Sequence, residues 1–422
     1  MKSRYSRRWF LGYAVLLAAL ARVKLDKAFA GEEPSGWQLR RGINVWPWFS
    51  LTREYPAPST EYGWPPFQTQ RPVPTEADLQ RLWMAGFDFI RLPVDPGPFL
   101  AMSFKQKSLL MNMLAEAVGT AVRTGFRVIL NVHANSATHY WNPHNLISSL
   151  DASHFEAYRS FVGELAGFLA KFETDRVALE PVNEPPQVCT SPTWSDVQMA
   201  LLTTARKAAP RLMLIATGSC GSMISGLVKL DPTPLLALEP VMFTFHFYEP
   251  YLFTHQGAPW MGEPIYRDLN AVPWPASAGS LRETLAAVRA RMQEDAVTAS
   301  ETKRRVYAEI EQVLKVYFDA QPDRGFIDHY LSEAVEWGRR YGIAPNRILM
   351  GEFGALRSDD RYVAAPAPDR ARYIADVRRS AEAMGLPWAF WNLFDGMGVM
   401  DDATHALDPL IVDALGLTMP PA

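Results

Sequence analysis

Val177-Ala178-Leu179-Glu180-Pro181-Val182-Asn183-Glu184-Pro185 is a largely apolar run that ends at an amide, a carboxylate and a proline. A short apolar run bounded in this way reads as a buried strand, with its polar pair lying just past the strand end. The same composition recurs along the chain. Strands are expected near Gly42 to Val45, Phe87 to Leu92, Arg127 to Val132, Val177 to Pro181, Met213 to Ala216, Val241 to Phe245, Arg347 to Met350 and Pro387 to Phe390. Longer amphipathic stretches lie between them, among them Thr75 to Ala85, Phe104 to Arg123, Ser153 to Phe172, Ser195 to Ala209, Gly325 to Arg340 and Asp369 to Met384. Eight strands alternating with helices predict an α/β fold, a (β/α)8 TIM barrel rather than an open doubly wound sheet.

In such a barrel, chemistry collects at the C-terminal ends of the strands. Polar groups do cluster there: Arg91 after the second run, His133 after the third, and Asn183 with Glu184 after the fourth. His246 and Tyr248 follow the sixth, Glu352 the seventh and Trp391 the eighth. One histidine or arginine at a strand end is usually structural, but six such ends together point to a shared site. Two of these groups are glutamates, in Val182-Asn183-Glu184-Pro185 and Met350-Gly351-Glu352-Phe353-Gly354. Two carboxyl groups delivered to one pocket suit glycosidic bond cleavage, in which one protonates the leaving oxygen and the other attacks or stabilises the sugar cation.

Arg91-Leu92-Pro93, Asn131-Val132-His133, Asn183-Glu184-Pro185, His246-Phe247-Tyr248, Gly351-Glu352-Phe353-Gly354 and Trp391, taken in this order, resemble the retaining glycoside hydrolases of family 5. Arg41-Gly42-Ile43-Asn44 looks like that family's first strand. The resemblance implies that Glu184 is the general acid/base, with a raised pKa, and that Glu352 is the ionised nucleophile. It implies that Arg91 and Tyr248 hold the Glu352 carboxylate, that Asn183 binds the sugar 2-hydroxyl, that His133 and His246 orient sugar and acid, and that Trp391 is the platform under the sugar. Retention further requires a carboxyl separation of about 5 to 5.5 Å, the shorter of the two glycosidase spacings.

Aromatic rings bear on the substrate, because sugar faces stack on them. Trp46, Trp48, Trp64, Tyr140, Trp141 and Trp260 are candidates for a cleft floor beside Trp391. With a formal net charge of -3 over 422 residues, they favour a neutral polysaccharide or oligosaccharide, with a β-glucan the preferred choice. No basic stripe suggests nucleic acid as a partner. No Cys/His cluster has zinc spacing and none of the eight histidines forms an HExxH pair, so no metal or cofactor is called for. A monomer is expected. The alternative of another class is a catalytically weak carbohydrate-binding barrel acting in exopolysaccharide processing. An intracellular barrel enzyme with a phosphate site is disfavoured, because Asn392 to Gly398 carries no cation.

Residues 1–30 combine Arg7-Arg8, an apolar run from Trp9 to Ala21 and Ala28-Phe29-Ala30, which predicts a cleavable, twin-arginine-like export signal rather than a stable membrane span. Residues 31–422 are expected to form one periplasmic or secreted domain. Cys189 and Cys220 follow different strands and are either bridged in an oxidising compartment or two buried thiols. The stretch Glu249 to Asn346 is longer than a barrel loop needs. It is read either as a lid over one end of the cleft or as a helical hairpin packed on the barrel side. Ser50 to Thr75, rich in proline and aromatics, is a second, smaller insertion on the same face.

Overall fold

The computed structural model describes residues 37–421, so the expected export signal lies outside the described residues. Eight parallel strands close into a barrel: Arg41–Asn44, Phe89–Val94, Arg127–Val132, Val177–Glu180, Met213–Thr217, Val241–Phe247, Ile348–Phe353 and Trp388–Phe390. Each pairs with its neighbours in sequence, and the first pairs with the last.

The two-residue period of a strand separates two apolar sets. Ile90, Leu92, Val128, Leu130, Leu179, Phe243 and Phe245 face outward into the large cluster shared with the helices. Phe89, Ile129, Ala178, Met213, Ile215, Met242, Leu349 and Ala389 face inward and fill the barrel floor. One inward step further along these rows come Arg91, Asn131 and Glu180, and two steps past Met242 comes His246. The barrel is therefore oily at one end and polar at the other. Gly42 makes room for this floor, since a Cβ there would meet the Phe89 ring at 2.2 Å.

Helices form where the sequence supplies both an apolar face and explicit ends. Glu76–Ala85 starts at a Thr75/Asp78 capping box and stops at Gly86 with φ 111°, and Phe104–Thr124 starts at Ser103/Gln106 and stops at Gly125 with φ 117°. Each such cap is worth about 1 kcal/mol, while a fully buried Leu or Phe contributes about 1.5–3 kcal/mol. Packing on the barrel therefore dominates. None of the described helices is long and apolar enough to cross a membrane.

Both insertions are present. Thr52–Glu54 and Tyr62–Phe67 pair as an antiparallel ribbon. It is tied to the loop after the third strand by Glu54 with His139 at 3.1 Å and by Trp141 Nε1 donating to the Thr60 carbonyl at 2.9 Å. In the long insertion, Leu281–Glu294 and Ser300–Ala320 form a helical hairpin. Leu285, Val288, Met292, Val306, Ile310, Leu314 and Tyr317 build a small core there with Ile265, Tyr266, Leu269 and Val272. The hairpin thus packs on residues 251–278. That segment is anchored to the barrel through Trp274, which meets Tyr373 edge-on at 5.2 Å and donates through Nε1 to Asp376 at 3.0 Å. The segment on which the hairpin rests reaches the polar end of the barrel, where Ala258 and Met261 cluster with Tyr248 and Trp391.

Candidate active site

Arg91 is the hub of the polar end, and it is fully buried. Its Nε and Nη2 donate to the two oxygens of Glu180 at 2.7 and 2.8 Å, Nη1 donates to Asn44 at 2.8 Å and to Glu352 at 2.7 Å, and Nη2 also donates to Asn183 Oδ1 at 2.7 Å. Register explains the gathering: Asn44 lies beside Arg91 across the first two strands, and Asn131 beside Glu180 across the third and fourth. Burial disfavours the guanidinium charge, but Glu180 and then Glu352 hold its pKa above the ordinary arginine value.

An arginine can only donate, so it fixes the polarity of everything it touches. Asn183 must present Oδ1 to Arg91, which turns its Nδ2 toward His133 Nε2 at 3.3 Å. His133 Nε2 then accepts, leaving Nδ1–H to donate to Asn131 Oδ1 at 3.2 Å. His246 turns Nε2 toward the Arg91 cation at 3.5 Å and Nδ1 toward the carboxyl oxygens of Glu184 at 2.8 Å and Glu352 at 3.5 Å, which favours the proton on Nδ1. Burial lowers the pKa of His133 to about 3 and that of His246 to about 4, so both rings are neutral relays at working pH.

Glu352 lies opposite His246 across the sixth and seventh strands. Gly351 makes this approach feasible, because a Cβ there would meet the Thr244 hydroxyl at 2.5 Å and the His246 ring at 3.4 Å. One Glu352 oxygen accepts from Arg91, and the other accepts from Tyr248 Oη at 2.9 Å. Burial pushes the Glu352 carboxyl up, Glu184 adds to that push, and His246, Arg91 and the Tyr248 hydroxyl oppose it. Glu184 receives no such pair of donors. Crowding by the barrel mouth pushes its carboxyl up to about 7 against the pull of Arg91. Its side chain still has 44% of its surface open to the cleft, so retained water moderates that push until a ligand covers the opening.

One oxygen from each glutamate and His246 Nδ1 all lie within 4.8 Å of one another, a separation on the short side expected of the pair. These are donors a cation accepts, but each is already engaged in hydrogen bonds inside the site.

All eight residues singled out from the sequence meet in this region: Glu184, Glu352, Arg91, His133, Asn183, His246 and Tyr248 through the bonds above, and Trp391 by stacking on His133 at 5.6 Å. Trp46 joins them, 6.1 Å from Trp391. Other aromatic candidates are engaged elsewhere, Trp48 against Phe49 and Tyr140 with Trp141 around His154. Glu180, Asn44 and Asn131 were not singled out as site residues. The available signal was Glu180 itself, a carboxylate inside an otherwise apolar strand, where burial demands a partner.

The loop carrying Glu184 is clamped from the next loop. Cys189 and Cys220 are joined by a disulfide, which decides between the two readings left open by sequence. Cys220, Gly221 and Ser222 all hold left-handed backbone, with φ of 65°, 63° and 59°. This turn sends Cys220 N to the Gln187 carbonyl at 2.8 Å, Gly221 N to that of Pro185 at 3.1 Å, and Ser222 Oγ to that of Asn183 at 2.7 Å.

A family model described as Cellulase (glycosyl hydrolase family 5) matches residues 54–396. Endoglucanase 3 of Fibrobacter succinogenes is 21% identical over 342 residues, covering 78% of this chain and 47% of that protein. Cellodextrinase A of Ruminococcus flavefaciens is 23% identical over 193 residues, covering 45% of this chain and 56% of its own length. The chain thus spans about half the length of these curated relatives. Among solved structures, Cel5A of Thermotoga maritima with cellobiose superposes with a TM-score of 0.61 at 20% identity, covering 89% of this chain and 97% of that one. The cellulose synthase subunit Z of Clostridioides difficile superposes with 0.62 at 18% identity, covering 90% and 99%. At these identities the superpositions bear on the fold, which they match as a (β/α)8 barrel. With the family model matching most of its length, the chain belongs to the cellulase family, glycosyl hydrolase family 5.

Proposed function

We propose that this protein is a retaining glycoside hydrolase that cleaves β-glycosidic bonds of a neutral glucan by double displacement. The observation that carries this reading is the pair Glu184 and Glu352, adjacent at the barrel mouth: burial raises both carboxyls, but only Glu352 has donors on both of its oxygens to offset that push. Glu352 is gripped by two donors that favour its charged form, whereas Glu184 is crowded toward its protonated form.

In the first step the Glu352 carboxylate attacks the anomeric carbon while Glu184 gives its proton to the departing glycosidic oxygen, so one C–O bond forms as the other breaks. As the negative charge leaves Glu352 for the covalent ester, Arg91 stays neutralised by Glu180, and the buried site never holds an unmatched cation. Glu184, now a carboxylate, takes a proton from water, whose oxygen displaces Glu352 and restores both groups. His246 Nδ1–H holds Glu184 through both steps, and Asn183, its Oδ1 fixed by Arg91 and its Nδ2 beside His133, has a second amide N–H for a sugar hydroxyl. Trp391 and Trp46 offer apolar faces to the ring being cleaved.

The names of the relatives, endoglucanase and cellodextrinase, support a β-glucan as the substrate. The Cys189–Cys220 bridge supports an oxidising compartment, consistent with export through the twin-arginine-like signal and a periplasmic or secreted, monomeric enzyme. Hydrolysis of a panel of β-glycans by the mature protein tests the proposal, with Glu184→Ala and Glu352→Ala beside it. Release of reducing sugar from a β-glucan, lost by several orders of magnitude in both variants, is expected. Variants as fast as wild type would refute the assignment.

A further inference from the structure

Trp260 takes no part in the chemistry above, yet its side chain is 52% exposed at a constrained place. It lies on segment 251–278, and its chain neighbours Ala258 and Met261 pack in one cluster with Tyr248, Leu356, Met397, Tyr362 and Trp391. The Trp260 indole therefore belongs to the wall built by the loops after the sixth, seventh and eighth strands. It meets Tyr362 in a T-shaped contact at 5.8 Å and 89°, which covers at most one face of the indole.

A second observation concerns the other partners of Tyr362. The Arg361 guanidinium sits 5.3 Å from the Tyr362 ring centre and pairs with Asp395 and Asp402, both at 3.0 Å. Tyr362 Oη also donates to Asp395 at 3.3 Å. Asp395 follows Trp391 by four positions and holds left-handed backbone at φ 68°, a conformation that costs energy and collects at ligand clamps. The Arg361 and Asp395 side chains remain 40% and 28% exposed. A half-exposed indole linked through Tyr362 to a partly exposed carboxylate and guanidinium is the recognition chemistry of a pyranose, whose C–H face stacks while its equatorial hydroxyls donate and accept.

We propose that Trp260, Tyr362, Arg361 and Asp395 form an additional subsite for one neutral pyranose unit of a longer glucan, away from the two glutamates. The inference rests on the glucan hydrolase reading above and assigns a purpose to the long insertion, whose helical hairpin buttresses the segment that carries Trp260. A neutral sugar fits better than an anionic one, because Arg361 is already matched by Asp359, Asp395 and Asp402.

The test compares kcat/KM for cellohexaose with kcat/KM for an aryl β-cellobioside, in wild type, Trp260→Ala and Trp260→Phe. The long-to-short ratio is expected to fall about tenfold in Trp260→Ala, the worth of one aromatic contact, through KM rather than kcat, and to recover most of the way in Trp260→Phe. A ratio within twofold of wild type in Trp260→Ala, or equal losses on both substrates, overturns the subsite. A wild-type protein inactive on both substrates refutes the parent reading, and with it the glucan as occupant.

Discussion

Replacing Tyr248 by Phe deletes one hydroxyl from the site and nothing else. That hydroxyl donates to Glu352 Oε2 at 2.9 Å, where the next nearest donor is His246 Nδ1 at 3.5 Å. The ring itself is buried, edge-on to His255 at 5.2 Å, and phenylalanine keeps that packing. A hydrogen bond to a charged acceptor is worth about 1.5–3 kcal/mol, and one pKa unit corresponds to about 1.4 kcal/mol. Loss of the bond therefore raises the Glu352 pKa by about 1–2 units, because the charged form alone receives it. Activity needs Glu352 ionised and Glu184 protonated, so the ascending limb of kcat/KM against pH follows Glu352 and the descending limb follows Glu184, near 7. The variant should show its ascending limb displaced to higher pH by about 1–2 units, with the descending limb held in place and the optimum narrowed. Initial rates on an aryl β-cellobioside between pH 3 and 9 measure this directly. An unmoved ascending limb, or a shift confined to the descending one, would show that Tyr248 does not hold the nucleophile.

Three other outcomes are expected. Glu180→Gln leaves the buried Arg91 short of a counter-charge, and the loss of one member of a buried pair should cost about 3–5 kcal/mol in urea unfolding; a cost under about 1 kcal/mol would show that Glu180 does not support Arg91. Substituting Cys189→Ala and Cys220→Ala opens a loop of sequence separation 31, worth about 3–4 kcal/mol by chain entropy and roughly 5 °C in Tm, and unchanged melting would mean that the link does not stabilise the fold. Asp95 is buried with Oδ2 unpartnered, and burial pushes its carboxyl up to about 7. Because this raised pKa belongs to the folded state, the stability it gives is full below about pH 4 and lost as pH climbs through 7. Asp95→Asn should therefore flatten Tm between pH 4 and 8, and a wild-type-like slope would show that the pH dependence arises from another group.

The barrel was legible because its strands carry a strong local signal, an apolar run that ends in polar residues. The expected ends fell short where function extends the strand. The seventh was expected over Arg347 to Met350 but runs Ile348–Phe353, since Glu352 keeps pairing with His246 across a register shift. Likewise, Arg91 lies inside its strand, held by Asn44 across the first and second strands. What sequence could not reveal depends on distant pairing. Glu180 shares Arg91 with Glu352 over a chain separation of 261 residues between hub and nucleophile, and no local pattern encodes that contact. The continuous charged pattern from Leu281 to Phe318 concealed a break, where Asp295 Oδ1 accepts from Val297 N and Thr298 N and turns one helix into two. Nor could local spacing foresee that the resulting hairpin would build its small core with residues 251–278.

The stereochemistry of hydrolysis bears most directly on the two-carboxylate mechanism. Proton NMR of a β-glucan oligosaccharide digest, recorded before mutarotation equilibrates the new reducing ends, should show the β-anomer first. That result follows from Glu184 and Glu352 oxygens within 4.8 Å of each other, too close to admit the water an inverting enzyme places between its carboxyl groups. Initial release of the α-anomer would contradict it.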